Sequence, residues 1–371
     1  MYSTLAMTIS IKGNGPIYGP GNPLIIAELG TAHGGDLSRA KDMAAAAAEA
    51  GATCVKLQMV FADEILHPNT GEVTLPGGSI RLYDRFRQLE MPPEFYAEVK
   101  EYVESRGLLF LCTPFGLKSA KILAELRPQI VKIASPELNF TALLREVADW
   151  NLPVLMSTGV STLADIEEAV GILGNCTLLH CVTAYPAPET DYNLRVLQSL
   201  AMVFGTAVGV SDHSLDPELV PALAVSQGAA VIEKHFCLSR DDPGLDDPIA
   251  LPPPLFTRMT AAIRLAAALG PDETINNLRR DRGSDLVEAI LGNGVKTLAP
   301  SEKENYTRTN RSIHALRDIQ PGETITEQDF AILRTEKILR PGLAPSWAAS
   351  LCGRTARQFI PAGEGIRFED V

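Results

Sequence analysis

The stretch AVIEKHF, Ala230–Phe236, begins as an apolar run and ends on three ionisable side chains, Glu233, Lys234 and His235. Charged groups are rarely buried unless they are paired or at work. A strand that turns polar at one end therefore reads as the tip of an element delivered to a rim where chemistry is gathered. Seven similar runs precede it: LIIAEL (24–29), TCVKLQ (53–58), LLFLCT (108–113), IVKIAS (130–135), PVLMST (153–158), TLLHC (177–181) and TAVGVS (206–211). Helical stretches such as LSRAKDMAAAAAEAG, PPEFYAEVKEYVESRG and STLADIEEAVGIL lie between them. Eight βα units in roughly 250 residues match the count and size of a closed (β/α)8 TIM barrel. A doubly wound open sheet is the rival, but its first turn would carry a GxGxxG phosphate loop, and here that turn reads GTAHGGD (30–36).

Active sites of such barrels occupy the face where strands end. Nearly every strand here ends in a functional side chain: Glu28, Lys56 and Gln58, Thr113, Lys132 and Ser135, Ser157 and Thr158, His180, Ser211 and His213, and Glu233 and His235. One polar tip is ordinary, whereas a ring of them predicts a shared pocket.

The chain has 371 residues, with 46% hydrophobic and 21% charged residues, which is ordinary for a globular protein with room for two domains. A formal net charge of −12 argues against nucleic-acid or anionic-membrane partners, though a local group of lysines still suits a small anion. The six cysteines form no CxxC pair, sit in runs such as LLFLC and TLLHC, and read as reduced core residues of a cytoplasmic protein. MYSTLAMTISIKGNG (1–15) lacks the pattern of a signal peptide, and MAAAAAEAGA (43–52) reads as a helix rather than a membrane span. Composition changes after Gly270, which divides the chain into a barrel (1–272), a polar linker with one amphipathic helix near SDLVEAIL (273–308), and a compact β-rich domain with PGE and AGE turns (309–371).

Lys56 and Lys132 with hydroxyls from Thr113, Ser135, Ser157 and Ser211 suit a phosphorylated carboxylate. His213 in SDHS and His235 in EKHF fall on neighbouring strands, where they are either ligands of a divalent ion with open positions or hydrogen-bonded core histidines. Glu28 and Glu137 serve as base, water-holder or sugar acceptor, or else simply pair with the lysines. The aspartates of RDDPGLDDP (240–248) read mostly as a solvated loop.

Taken in order, AELGTAHGG, VKLQ, LCTPF, VKIASPE, LMSTGVS, LLHCVTAYPAP, VGVSDHS, EKHF and DDPGLD resemble the motifs of the N-acetylneuraminate (sialic acid) synthase family. The tail RSIHALRDIQPGETIT with LRPGL resembles that family's antifreeze-like (SAF) domain. The resemblance implies a transferase that condenses phosphoenolpyruvate with an open-chain N-acylated amino sugar, giving a nonulosonic acid and phosphate. It implies Mn2+, or else Mg2+ or Co2+, at His213 and His235. Lys56, Thr113, Lys132, Ser135, Ser157 and Ser211 match phosphoenolpyruvate-binding positions, and Thr183 falls at a further such contact. Glu28, Gln58, Glu137, Tyr185 and Asp246 match positions around sugar and metal, with Glu28, Lys56, Lys132 and Glu137 in catalytic roles. A domain-swapped homodimer is also implied, in which Arg340 of the RPG motif, or less well Arg334, reaches the sugar's acyl group. Thr183, Ala32, Asp247 and the missing second Gly of LRPGLAP depart from the family pattern, and we read them as a shifted sugar specificity. Two rivals stand beside this reading: a Schiff-base aldolase using Lys132 or Lys56, and a non-catalytic sugar-binding homologue.

Overall fold

The structure, a computed structural model, describes residues 8–11, 16–75 and 78–371. Part of the segment on which the no-leader expectation rests lies outside the described residues. Eight parallel strands form the barrel: β1 Leu24–Gly30, β2 Cys54–Met59, β3 Leu109–Pro114, β4 Val131–Ile133, β5 Val154–Ser157, β6 Cys176–Cys181, β7 Val208–Asp212 and β8 Val231–His235. Their hydrogen-bonded order is β3-β2-β1-β8-β7-β6-β5-β4, so the ladder runs round the barrel and leaves a seam where β3 and β4 lie side by side. Each predicted strand is present, with its bounds shifted by a residue or two.

Alternation along each strand sorts the side chains into two cores. The outward set, including Ile25, Ala27, Val55, Leu57, Val210 and Ile232, packs against the helices. The inward set, Leu24, Ile26, Cys54, Leu111, Leu155, Leu179 and Val231, fills the lower barrel together with Ile9, Ile11 and Tyr18. Those last three come from or adjoin the hairpin of Ile9–Ser10 with Ile17–Tyr18, which plugs the bottom. Above the apolar layer the inward positions turn polar.

Local chemistry starts the helices. Asp36 caps Leu37–Glu49 by accepting from the Arg39 amide at 3.0 Å, and that helix buries Ala40, Met43, Ala44 and Ala47. Thr162 and Asp165 form a reciprocal capping box at the head of Leu163–Leu173.

The segment read as a linker is largely folded. Helices Pro271–Arg282 and Ser284–Leu291 follow the last barrel helix, and Val287, Ile290 and Leu291 are buried in the main core. Three apolar residues in the second helix are enough to dock it, even though the flanking sequence is polar. Only residues from 292 to 310 run as a strap without a regular helix, apart from a 3-10 turn at Pro300–Glu302.

The C-terminal domain pairs β9 (Arg311–Ala315) antiparallel with β10 (Phe330–Arg334) around a small core of Ile313, Ile319, Ile325, Leu351, Ile360 and Ile366. Within this one chain the domain docks on its own barrel mouth. Asn139 bonds both the amide and the carbonyl of Arg311, and the Ile338 amide donates to Thr70 O at 3.2 Å. The single chain therefore displays docking in cis where the resemblance implied exchange between protomers.

Because the helix Ser284–Leu291 is core and not tether, Ile290→Ala is expected to cost about 2–5 kcal/mol. A chemical denaturation series that detects no loss would return the segment to a linker.

Candidate active site

The polar layer is organised by one carboxylate oxygen. Glu233 Oε1 accepts from Lys56 Nζ at 3.0 Å, Lys132 Nζ at 3.3 Å and Ser211 Oγ at 2.9 Å. Glu28 stands beside it, its Oε2 3.3 Å from Lys56 Nζ and its Oε1 accepting from Gln58 Nε2 at 2.7 Å. Strand register explains the grouping: Glu28 lies opposite Lys56, Gln58 opposite Thr113, and Ser211 opposite Glu233. All of these side chains except the partly buried Gln58 are buried.

Burial raises the Glu28 carboxyl to about 7, with repulsion from Glu233 adding to it and Lys56 opposing it. Glu233 moves the other way: burial pushes it up, but Lys132 and Lys56 outweigh burial and hold it well below the usual carboxylate range. Burial lowers Lys132 despite its carboxylate partner. Two lysines thus face one carboxylate held ionised and one whose carboxyl is raised towards neutrality, an arrangement that suits an incoming anion. The hydroxyls of Thr113, Ser157 and Thr183 are buried without a hydrogen-bond partner, as is Glu233 Oε2. Such groups are costly unless a ligand or water completes them. Ser135, by contrast, accepts from the Gly159 amide at 3.0 Å.

Above this layer His213 and His235 lie with ring centroids 5.5 Å apart. His213 Nδ1 is 2.9 Å from Val182 O, a carbonyl that only accepts, so Nδ1 carries a proton and Nε2 is the ring nitrogen left to meet a ligand. Burial holds His235 well below its ordinary value and therefore neutral. Asp246 Oδ2 is 3.8 Å from His235 Nδ1, and Tyr185 stacks on His213 at 4.2 Å. Two imidazoles, with a carboxylate nearby, fit a divalent ion that leaves positions for oxygen ligands. No group of three or more metal-ligating side chains converges among the described residues, so the protein's share would be the two histidines.

His180, from the predicted ring, faces away and bonds Tyr192 O at 2.6 Å behind β6, and Lys234, between two ring members, points out of the barrel to Asp212 Oδ2 at 2.7 Å. The alternation of a strand sends them there, since Glu233, His235 and Cys181 take the inward positions. Asp247 also turns inward on its own loop, accepting from the Gly244 amide at 2.8 Å.

Glu137 is met by the C-terminal domain. Its Oε1 accepts from Arg334 Nη2 at 2.7 Å and lies 2.9 Å from Arg311 Nη2, while its Oε2 has no hydrogen-bond partner. Arg311 is fully buried and also donates to Glu64 O and Phe115 O, so it ties together the loops after β2, β3 and β4. The Arg334 guanidinium lies over the Phe115 ring, 5.2 Å from its centroid. Arg340 sits elsewhere, bound to Asp370 Oδ2 at 2.6 Å and to Gly365 O at 2.9 Å within its own domain. Of the two arginines considered, Arg334 is the one at this barrel's mouth. The sequence reading placed Glu233 in the ring without naming its task, and singled out Arg311 for nothing. Glu233 carried a signal, an acid two residues before His235 on an inward position, whereas Arg311 carried none beyond heading a strand.

Removing the shared carboxylate takes the carboxylate partner from Lys132 and leaves Lys56 with Glu28 alone. Glu233→Ala is expected to lose about 3–5 kcal/mol, and inorganic phosphate should raise its melting temperature more than that of the unmodified protein. An unchanged melting temperature, or no difference in the phosphate effect, would contradict this account of the lysine pair.

The chain matches the NeuB family over residues 43–273 and the SAF domain over residues 310–371. It is 36% identical over 356 residues to the spore coat polysaccharide biosynthesis protein SpsE of Bacillus subtilis, covering 94% of this chain and 93% of that one. It is 32% identical to the N,N'-diacetyllegionaminic acid synthase of Legionella pneumophila, covering 94% of each chain. The crystal structure of the B. subtilis SpsE superposes with a TM-score of 0.81 at 34% identity, covering 98% and 99% of the two chains. The sialic acid synthetase of Leptospira borgpetersenii, solved with citrate, gives 0.65 at 31% identity, covering 81% of this chain and 96% of that one. Family match, ordered barrel and C-terminal domain agree: the chain belongs to the NeuB family and carries its SAF domain.

Proposed function

We propose that this protein is a nonulosonic acid synthase, condensing phosphoenolpyruvate with an open-chain N-acylated amino sugar and releasing phosphate. The observation that carries the reading is the buried pair Lys56 and Lys132 on Glu233, ringed by unpartnered hydroxyls and set beneath the two imidazoles of His213 and His235. Relatives named as legionaminic and pseudaminic acid synthases support a 2,4-diacetamido-trideoxyhexose as acceptor, with N-acetylmannosamine as the alternative.

In this mechanism the lysines and the hydroxyls of Thr113, Ser135, Ser157 and Ser211 hold the phosphate and carboxylate, with Thr183 beside them. A divalent ion at His213 and His235, Mn2+ foremost with Mg2+ or Co2+ as alternatives, would polarise the sugar aldehyde as a Lewis acid. C3 of phosphoenolpyruvate then bonds to the aldehyde carbon, water adds at C2, and phosphate leaves to give the keto acid. Glu28, raised to about 7, is matched to taking a proton from that water and returning it. Gln58, Tyr185 and Asp246 orient the sugar, and the unpartnered Glu137 oxygen accepts from a sugar hydroxyl. Arg334 is placed for the acyl group. Proximity supplies much of the remaining acceleration.

The low-lying Lys132 amine favours one second reading, a Schiff-base aldolase. Borohydride with pyruvate would trap an imine in that case and none in ours. A cytoplasmic location accords with six free cysteines, and no helix among the described residues is long and apolar enough to cross a membrane. We also propose a homodimer. The cis docking seen here and an exchanged domain use the same Arg311, Arg334 and Glu137 contacts, and light scattering that finds a monomer at micromolar concentration would exclude the exchange.

The deciding experiment is phosphate release from phosphoenolpyruvate with Mn2+ across N-acetylmannosamine and the diacetamido-trideoxyhexoses, with and without EDTA. Release that depends on one sugar and stops with EDTA is expected; none with any sugar in folded, metal-loaded protein would point to a sugar-binding homologue. Arg334→Ala should raise the sugar KM about tenfold, and Arg340→Ala should leave it unchanged. Below the Glu28 value of about 7 the carboxylate is protonated and cannot act as base, so kcat/KM should fall on the acid side. Glu28→Gln should abolish that limb, and a limb that persists would belong to the substrate phosphate.

A further inference from the structure

We infer that the strap after the last barrel helices is a positioning device for the phosphoenolpyruvate side of the mouth, with Glu302 as its anchor. This inference rests on the function proposed above. β5 ends on Ser157 and the loop after β6 carries Thr183, and both hydroxyls are buried and unpartnered. Strap side chains satisfy the backbone of the loops after β5 and β6. Glu302 Oε2 accepts from the Val160 amide and the Thr183 amide, each at 2.9 Å. Asn310 Nδ2 donates to Val160 O at 2.9 Å, and Asn305 Nδ2 donates to Thr183 O at 2.8 Å. Lys296 Nζ adds a bond to Thr158 O at 2.9 Å. Both polar backbone groups of Val160 and both of Thr183 are therefore held from outside the barrel.

The conformation being held is an uncomfortable one. Val160 is β-branched yet has φ 41°, in the left-handed region such residues avoid. A strained residue persists only where its surroundings over-determine it, and such residues gather at functional sites. Glu302 supplies that determination with a carboxylate, itself buried, whose other oxygen accepts from the Ala299 amide at 3.1 Å.

The loops have little slack. A Cβ on Gly159 would stand 2.2 Å from Thr183 Oγ1 and 3.0 Å from Ser135 Oγ. The hydroxyls assigned to phosphoenolpyruvate are thus packed on one another through Gly159, and Glu302 fixes the two backbones that bring them together. The sugar side, around Glu137, Tyr185 and Asp246, makes no bond to Glu302. Glu302 is a positioning residue: it sets Ser157 and Thr183 without touching substrate.

Three measurements test this on the full-length, metal-loaded protein. Glu302→Ala should raise the KM for phosphoenolpyruvate at least about tenfold while the sugar KM stays within about twofold. Glu302→Gln, whose amide oxygen still accepts, should recover most of the loss. By hydrogen exchange, the Val160 and Thr183 amides should exchange at least about a hundredfold faster in Glu302→Ala than in the wild type. If Glu302→Ala does not fold, Asn305→Ala and Asn310→Ala each remove one carbonyl partner and should show a smaller shift of the same selectivity. A folded Glu302→Ala with wild-type affinity for phosphoenolpyruvate, by turnover or calorimetry, overturns the inference. So does a parallel loss in both substrates, or unchanged protection of the two amides. Wild-type protein that neither turns over nor binds phosphoenolpyruvate overturns the function reading itself, and with it the ligand named here.

Discussion

One oxygen atom, Glu233 Oε1, holds the centre of this barrel together. Two buried lysines from strands on opposite sides of the ladder and one serine converge on it. Each charge would be prohibitive alone at that depth, and together they are tolerable only because they neutralise one another. The cluster is also poised for exchange: an incoming phosphate or carboxylate offers the lysines what Glu233 already gives them, so binding replaces existing partners in place of ordering free ones. The raised Glu28 carboxyl beside it adjusts the charge of the site by one proton without moving a heavy atom.

The C-terminal domain is joined to this centre by a second shared carboxylate. Glu137 receives Arg311 and Arg334 at the seam between β3 and β4, where the ladder is interrupted. Arg311 spends its remaining donors on loop carbonyls after β2 and β3. The same guanidinium thus closes the rim of the barrel and docks the domain, and in that sense the domain is part of the site's wall. The strap that leads to it meets the loops after β5 and β6, so the chain beyond the barrel touches the mouth on two sides.

The barrel was legible because alternation and punctuation are local properties, and each of the eight strands carries them within its own few residues. Lys56, Lys132, His213 and His235 were legible because ionisable residues at strand tips have few alternative explanations once a ring of them is seen. His180 was misplaced by the same cue, since a polar residue at a tip does not say which way its side chain faces; the alternation along its own strand is what turns it outward. Helix Ser284–Leu291 was seen, but its docking was not, because packing is a matter of partners far away in sequence. Arg311, Glu302, Asn305 and Asn310 were opaque for a related reason. Their partners are mostly backbone groups over a hundred residues away, and nothing in SEKENYTRTNRS separates a solvated polar run from one that grips a barrel.

The hairpin that plugs the lower barrel has a consequence for timing. With Ile9, Ile11 and Tyr18 packed into the apolar floor, the described residues close the lower end and leave the mouth as the way in. Lys56, Lys132 and Glu233 occupy a deeper layer than His213, His235 and the exposed Tyr185. A pocket with one door and two levels behaves as a stack, so the anion must go in before the sugar and, after bond formation, whatever occupies the upper level must clear before the lower one empties. On the proposed function, a compulsory order of binding is what such a floor calls for, set by three apolar residues packed below the polar layer.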